Sequence, residues 1–189
     1  MLNVSIVLYR PDWQQVTDLA TVILLSNHVR RIYLIDNSPT PTSPESLDSR
    51  ITYRHNPYNM GYGAAHNIAI RESIYDDVPF HLVINPDIIL TPEALETMLQ
   101  FIAQHPEVGS LMPKVTYPDG QLQHLCKLLP TPLDVFGRRF LPSKWMHRRN
   151  SRYEMHASAY DRLMNIPYLS GCFMLLRTQA VPQARLFAV

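Results

Sequence analysis

The sequence predicts an α/β fold: a mostly parallel sheet flanked by helices. Two observations predict it. Short apolar runs alternate with segments of helical periodicity over the first hundred or so residues, which is the pattern of a doubly wound parallel sheet. Two of those runs, RIYLID and HLVINPD, end on an acid, Asp36 and Asp87. Parallel strands put their carboxyl ends on one edge, the edge where such sheets bind ligands.

Asn3 to Tyr9 reads as the first strand, ended by Pro11-Asp12. Asp12 with Gln15 three residues on makes a capping-box pattern, and Val16, Leu19, Ala20, Ile23 and Leu24 carry a helix to about Asn27. Arg31 to Asp36 is the second strand, followed by a loop rich in Pro, Thr and Ser from Pro39 to Glu45. Ile51 to Arg54 is a short third strand, His55 to Gly63 an irregular loop, and Ala64 to Ile74 a helix. His81 to Asn85 is the fourth strand. It stops at Pro86, which has no amide hydrogen to continue a central ladder. Thr91 caps the next helix with Pro92 in its first position, and Leu95, Met98, Leu99 and Ile102 mark its buried face. Gly109 to Tyr117 reads as another strand, Pro118-Asp119-Gly120 as a tight turn, and Tyr168 to Arg177 as a final strand. Leu128 to Asn165 reads as irregular, with a basic cluster at 138–152.

The chain of 189 residues carries a net charge of +1 and is 46% hydrophobic, which suits one globular domain with a substantial core. That near-neutral balance argues against general nucleic-acid binding. Cys126 and Cys172 form no CxxC pair, and the chain opens directly into an apolar run, so a reduced cytoplasmic setting is expected. No apolar run approaches the roughly 20 residues that cross a bilayer. The basic cluster reads by default as a solvated loop, with contact to anionic lipid headgroups or a diphosphate-lipid acceptor as the alternative.

On chemistry, Asp36 and Asp87 form the first candidate site. One carboxylate can accept from a nucleobase or ribose, and the other can hold a divalent ion, Mg²⁺ or Mn²⁺, that screens a diphosphate. As an isolated residue Asp87 reads equally as a turn residue or a cap for the following helix. The loop from Asn56 to Asn67 is the second candidate. Gly61 and Gly63 permit close backbone approach, and the helix start after them offers amides to an anion. GxGxxG, HExxH and GxSxG are absent, which argues against a dinucleotide enzyme, a zinc hydrolase and an esterase.

Several motifs in order resemble a known family: VSIVLYRP at 4–11, YLIDNS at 33–38, NPYNMGYGAAHN at 56–67, VINPD at 83–87, PDGQLQ at 118–123 and YLSGCFMLLR at 168–177. The chain resembles a family-2 inverting glycosyltransferase of the GT-A fold, in its rhamnosyltransferase-like branch. The resemblance implies sugar transfer, rhamnose being one candidate, from a dTDP- or UDP-sugar to a growing surface polysaccharide or lipid-linked glycan. It implies a divalent cation as cofactor and a place at the inner face of the cell membrane. It implies a nucleotide-sugar site made of Leu8, Tyr9, Asp36, Asn59, Gly61, Gly63, Asn85 and Asp87. In that site Asp36 serves the base end and Asp87 the metal, while Asn85 replaces the first acid of the family's DxD motif. Residues 1–107 are then the nucleotide-sugar-binding half and 108–189 a partial acceptor-side half.

The resemblance also implies a general base in an acidic segment beyond Val189, so a chain truncated at its C-terminus, with part of the fold missing, is expected. Two alternatives follow: a catalytically inactive fragment that still binds nucleotide sugar, and a sugar nucleotidyltransferase. The latter calls for a Gly- and Lys-rich loop where Tyr9-Arg10-Pro11-Asp12 stands.

Overall fold

A computed structural model of the chain describes residues 1–44, 46–127, 163–181 and 186–187. Strands and helices alternate as the sequence predicts: β1 (Leu2–Leu8), α1 (Trp13–Leu24), β2 (Val29–Asp36), β3 (Ile51–His55), α2 (Tyr62–Tyr75), β4 (Phe80–Ile84) and α3 (Pro92–Gln104). β1 pairs in parallel with both β2 and β4, and β2 in parallel with β3. Thr91 caps α3 by accepting from Ala94 N–H. Asp12 caps α1 by accepting from Gln14 N–H at 3.0 Å, one residue short of the capping-box position. α1 stops at Leu24 rather than near Asn27. β2 already begins at Val29, opposite Leu2, so the chain has to leave the helix early to reach that register.

Two further expectations are corrected. Gly109 to Tyr117 yields only β5 (Ser110–Leu111), because Pro113 lies just beyond it and cannot donate to a ladder. Tyr168 to Arg177 is not one strand. After β6 (Cys126–Lys127) come β7 (Tyr168–Leu169) and β8 (Phe173–Arg177), separated by a turn at Gly171-Cys172. β8 runs antiparallel to both β4 and β5, giving a six-stranded sheet of order β3-β2-β1-β4-β8-β5. The basic cluster at 138–152 lies outside the described residues.

The sheet is buried on both faces, and residue parity sorts its side chains. Leu2, Val4, Ile6 and Leu8 of β1 join Ile32 and Leu34, Leu82 and Ile84, and Phe173 and Leu175, under α1 and α3. Their neighbours Tyr33, Ile35, Val83 and Met174 point to the other face, where α2 packs with Ala65, Ala69 and Ile70. This two-sided burial is why the strands read as unbroken apolar runs.

The chain divides into two compact units, Met1–Leu111 with Gly171–Val189, and Met112–Ser170. Within the second, β6 pairs with β7, and the expected turn at 118–120 is present, Gly120 N–H donating to Tyr117 O at 2.9 Å with Gly120 at φ +84°. Among the described residues no helix is long and apolar enough to cross a membrane.

Candidate functional site

The chain runs outward from β1 to β2 and β3, then returns to set β4 on the other side of β1. That reversal opens a crevice between the carboxyl ends of β1 and β4, the usual ligand position in open α/β sheets. Leu8 ends β1 with its side chain in the core, while Tyr9 is exposed beneath the Arg10 guanidinium, 5.6 Å away. Arg10 takes a positive φ of +49°, and its N–H donates to Ser38 Oγ at 2.7 Å. A cavity of about 410 Å³ lies at this corner, lined in part by Arg10, Trp13, Ser38 and Thr42.

Asp36 ends β2 and is 0% exposed. Its Oδ1 accepts from Ser38 N–H at 2.8 Å and its Oδ2 from the Tyr53 hydroxyl at 2.6 Å. Burial first, and then the bond to Asp36, pushes Tyr53 up to about 12. Next along the chain, Asn37 Nδ2 donates to Gly61 O at 3.3 Å, and its Oδ1 accepts from Asn56 Nδ2 at 2.8 Å. These asparagines fasten the 56–61 loop to the end of β2. Asn59 shapes the loop from within, its Oδ1 accepting from Gly61 N–H at 2.9 Å. Gly61 is the N-cap of α2 at φ +83°, a region where glycine is favoured, and it supplies no side-chain cap to the first-turn amides. Gly63 sits in that first turn.

Tyr62 carries α2 into the crevice. Its hydroxyl lies 3.0 Å from Asn85 Oδ1 and 2.5 Å from Gly171 O, and its ring packs on Gly171 and edge-on against His66 at 4.3 Å. Burial, then the charges of Cys172 and Asp87, raise the Tyr62 hydroxyl well above the usual tyrosine range, so it stays protonated at neutral pH. Asp87 itself is exposed, two residues beyond Asn85. The structure thus gathers Asn85, Asp87 and Tyr62 around the end of β4, while Asp36 is turned inward with Ser38 and Tyr53.

The sequence reading passed over a buried polar chain beneath this site. Asn3 and Ser5 of β1, His81 of β4, and His66 and Ser73 of α2 meet between the sheet and the helix, all inaccessible to solvent. Ser73 Oγ donates to Ala69 O at 3.1 Å and accepts from Asn3 Nδ2 at 3.0 Å; it lies 2.7 Å from His81 Nδ1. Ser5 Oγ lies 2.8 Å from His81 Nε2 and 2.7 Å from His66 Nδ1. With the Ser73 proton given to Ala69, His81 Nδ1–H donates to Ser73, Ser5 donates to His81 Nε2, and His66 Nδ1–H donates to Ser5. Both rings are neutral in this scheme. Burial lowers each to about 3, His81 further opposed by the charge of His66. A signal was available: Asn3 and Ser5 are the polar residues of β1, and their parity puts them on one face.

A divalent cation fits these residues in one way. Among the described residues no group of three or more His, Cys, Asp and Glu is placed to hold a metal ion. Mg²⁺ and Mn²⁺ at diphosphates need only one or two protein oxygens, the phosphates supplying others. Asn85 and Asp87 are such a pair.

Comparisons with known proteins bear on the family and the fold. The sequence profile described as Glycosyl transferase family 2 matches residues 19–183. The N-acetylglucosaminyl-diphospho-decaprenol L-rhamnosyltransferases of two Mycobacterium tuberculosis strains, CDC 1551 and H37Rv, are 26% identical to the chain over 196 residues, 97% of its length. The chain spans 63% of the length of these relatives. The mannosyltransferase PcManGT from Pyrobaculum calidifontis, solved with GDP-Man and Mn²⁺, superposes with a TM-score of 0.54 at 12% identity, covering 99% of this chain and 47% of that one. The S. aureus TarS 1–349 structure superposes with a TM-score of 0.51 at 16% identity over 68% of this chain and 41% of its own. These two likenesses are of fold, the GT-A sheet that the sequence predicts.

Proposed function

Because the chain belongs to glycosyl transferase family 2, we propose that it binds a nucleoside-diphosphate sugar in the crevice beyond β1 and β4 and serves sugar transfer to a glycan or lipid-linked acceptor. The likeness to L-rhamnosyltransferases supports rhamnose as the sugar; dTDP or UDP as the carrier rests on the motif resemblance alone.

One observation carries the reading: the uncapped start of α2 carries Tyr62 onto Asn85, two residues before Asp87, at the point where the sheet reverses its order. Helix-start amides suit phosphate oxygens, and a carboxylate beside an amide suits a small hard cation. In this reading Asp87 and Asn85 hold Mg²⁺ or Mn²⁺. Bound there, the cation neutralises charge developing on the departing nucleoside diphosphate. Tyr9 faces the base end, backed by the buried Leu8 and Asp36, with Asn59, Gly61 and Gly63 shaping the wall beside it. Asp36 acts from within, holding Ser38 and Tyr53 in place. We assign no general base among the described residues. In the cell such an enzyme works in the cytoplasm, at the inner membrane face where lipid-linked acceptors lie.

Calorimetry with UDP and dTDP, in Mn²⁺ and in EDTA, tests the donor site. Binding that needs Mn²⁺ and weakens at least tenfold in Asp87→Ala is expected. Equal affinity in both conditions and in the variant would remove the cation from the reading. Release of nucleoside diphosphate with acceptor present then separates a transferase from a protein that only binds donor.

A further inference from the structure

We propose that Tyr62 is a positioning residue that fixes the carboxamide of Asn85 with its oxygen, not its nitrogen, turned away from the phenol and free to serve a cation; the inference rests on the donor-binding reading above. The Tyr62 hydroxyl has two neighbours, Gly171 O at 2.5 Å and the Asn85 carboxamide corner at 3.0 Å. A hydroxyl carries one proton. Gly171 O is a carbonyl, can only accept, and is the nearer of the two, so the proton belongs to it. An Asn85 oxygen at the other position would then face the phenol oxygen with no proton between them. The two corners of a carboxamide have the same shape, and their assignment follows from partners. Turned over, Asn85 donates Nδ2–H to the phenol oxygen, and Oδ1 becomes the free corner.

Little in the surroundings lets Tyr62 choose otherwise. A Cβ on Gly171 would stand 3.1 Å from Tyr62 Cε1, so the ring already rests on that backbone. The His66 ring abuts it from another side, and His66 is tied through Ser5 to β1. Asn85 is anchored as well, its N–H donating to Cys172 O at 2.9 Å. Asp87 lies near enough for its charge to be felt at the Tyr62 hydroxyl. An oxygen at the free corner of Asn85, two residues before that carboxylate, would serve a cation as a ligand, whereas an amide NH₂ would repel one.

The test is a double-mutant cycle read by Mn²⁺ electron paramagnetic resonance with saturating UDP or dTDP, whichever binds the wild-type chain. Tyr62→Phe keeps the ring and frees the carboxamide to rotate. Mn²⁺ affinity is expected to fall about tenfold, the lower end for loss of a group that orients a metal ligand. In an Asn85→Asp background both corners are oxygens, so adding Tyr62→Phe is expected to change affinity less than twofold. Circular dichroism confirms that each variant is folded. An equal fall in both backgrounds would show a merely structural tyrosine and overturn the proposal, as would no fall in the Asn85 background. If the wild-type chain binds the nucleotide equally with Mn²⁺ and EDTA, the cation reading itself fails, an outcome visible before any variant is made.

Discussion

Tyr53 donates its hydroxyl to Asp36 Oδ2 at 2.6 Å, and so ties the middle of β3 to the end of β2. The carboxylate is fully buried, and among the described residues this is one of two donors that satisfy it. Tyr53→Phe would leave that oxygen without its partner in the interior. We expect a loss of about 1–3 kcal/mol in urea denaturation, the cost of an unsatisfied buried acceptor. An unchanged midpoint would mean that water reaches Asp36.

His66 and His81 make the fold sensitive to acid. Both are neutral when folded and held near 3, while the unfolded chain takes up protons below about 6.5. The unfolded state therefore binds more protons between those values, and stability rises with pH across that window. From pH 6 down to pH 5 each ring should lower stability by roughly 1 kcal/mol, approaching the limit of about 1.4 kcal/mol per pH unit. Urea midpoints at pH 7, 6 and 5 check this. A flat profile would mean that the rings are charged in the fold.

Gly171→Ala would push a methyl group against the Tyr62 ring, which His66 already abuts from another side. Overpacking of this kind costs about 1–3 kcal/mol. We expect a lower melting temperature together with weaker Mn²⁺-dependent nucleotide binding. A drop in melting temperature with full nucleotide affinity would separate the packing role from the site.

Asn67 clamps the backbone of Phe187 from both sides, Nδ2 donating to its carbonyl at 2.9 Å and Oδ1 accepting from its N–H at 3.1 Å. Two hydrogen bonds of about 1 kcal/mol each hold this segment against α2. In Asn67→Ala, exchange of the Phe187 amide should quicken roughly 30-fold, the factor those bonds amount to. Exchange in β1 should be unaffected; a general rise would show that the variant loosens the whole sheet.

The parallel part of the sheet was legible because two-sided burial writes each strand as an apolar run, and because Asp12 and Thr91 mark helix starts by local chemistry. The direction of β8 was not legible. FMLLR is largely apolar read either way, and its pairing with β4 joins Ile84 to Phe173 across nearly half of the chain. At the site, the sequence pointed to Asn85, Asp87 and the 56–67 loop through their place at strand and helix ends. It did not point to Tyr53, to the Tyr62–Gly171 contact or to the His66–His81 pair. Those depend on which side chains meet across the sheet, which no local spacing encodes.

The antiparallel seam between β4 and β8 also sets an order of events during synthesis. β4 has its partner β1 as soon as it leaves the ribosome, but its other edge stays open until Phe173–Arg177 has been made. At roughly 5–20 residues per second that is an interval of about ten seconds. Throughout it, an unpaired and largely apolar strand edge stands ready to recruit other chains. The nascent protein is thus most prone to aggregate just before the residue that orients its crevice, Gly171, and the strand that seals its sheet arrive together.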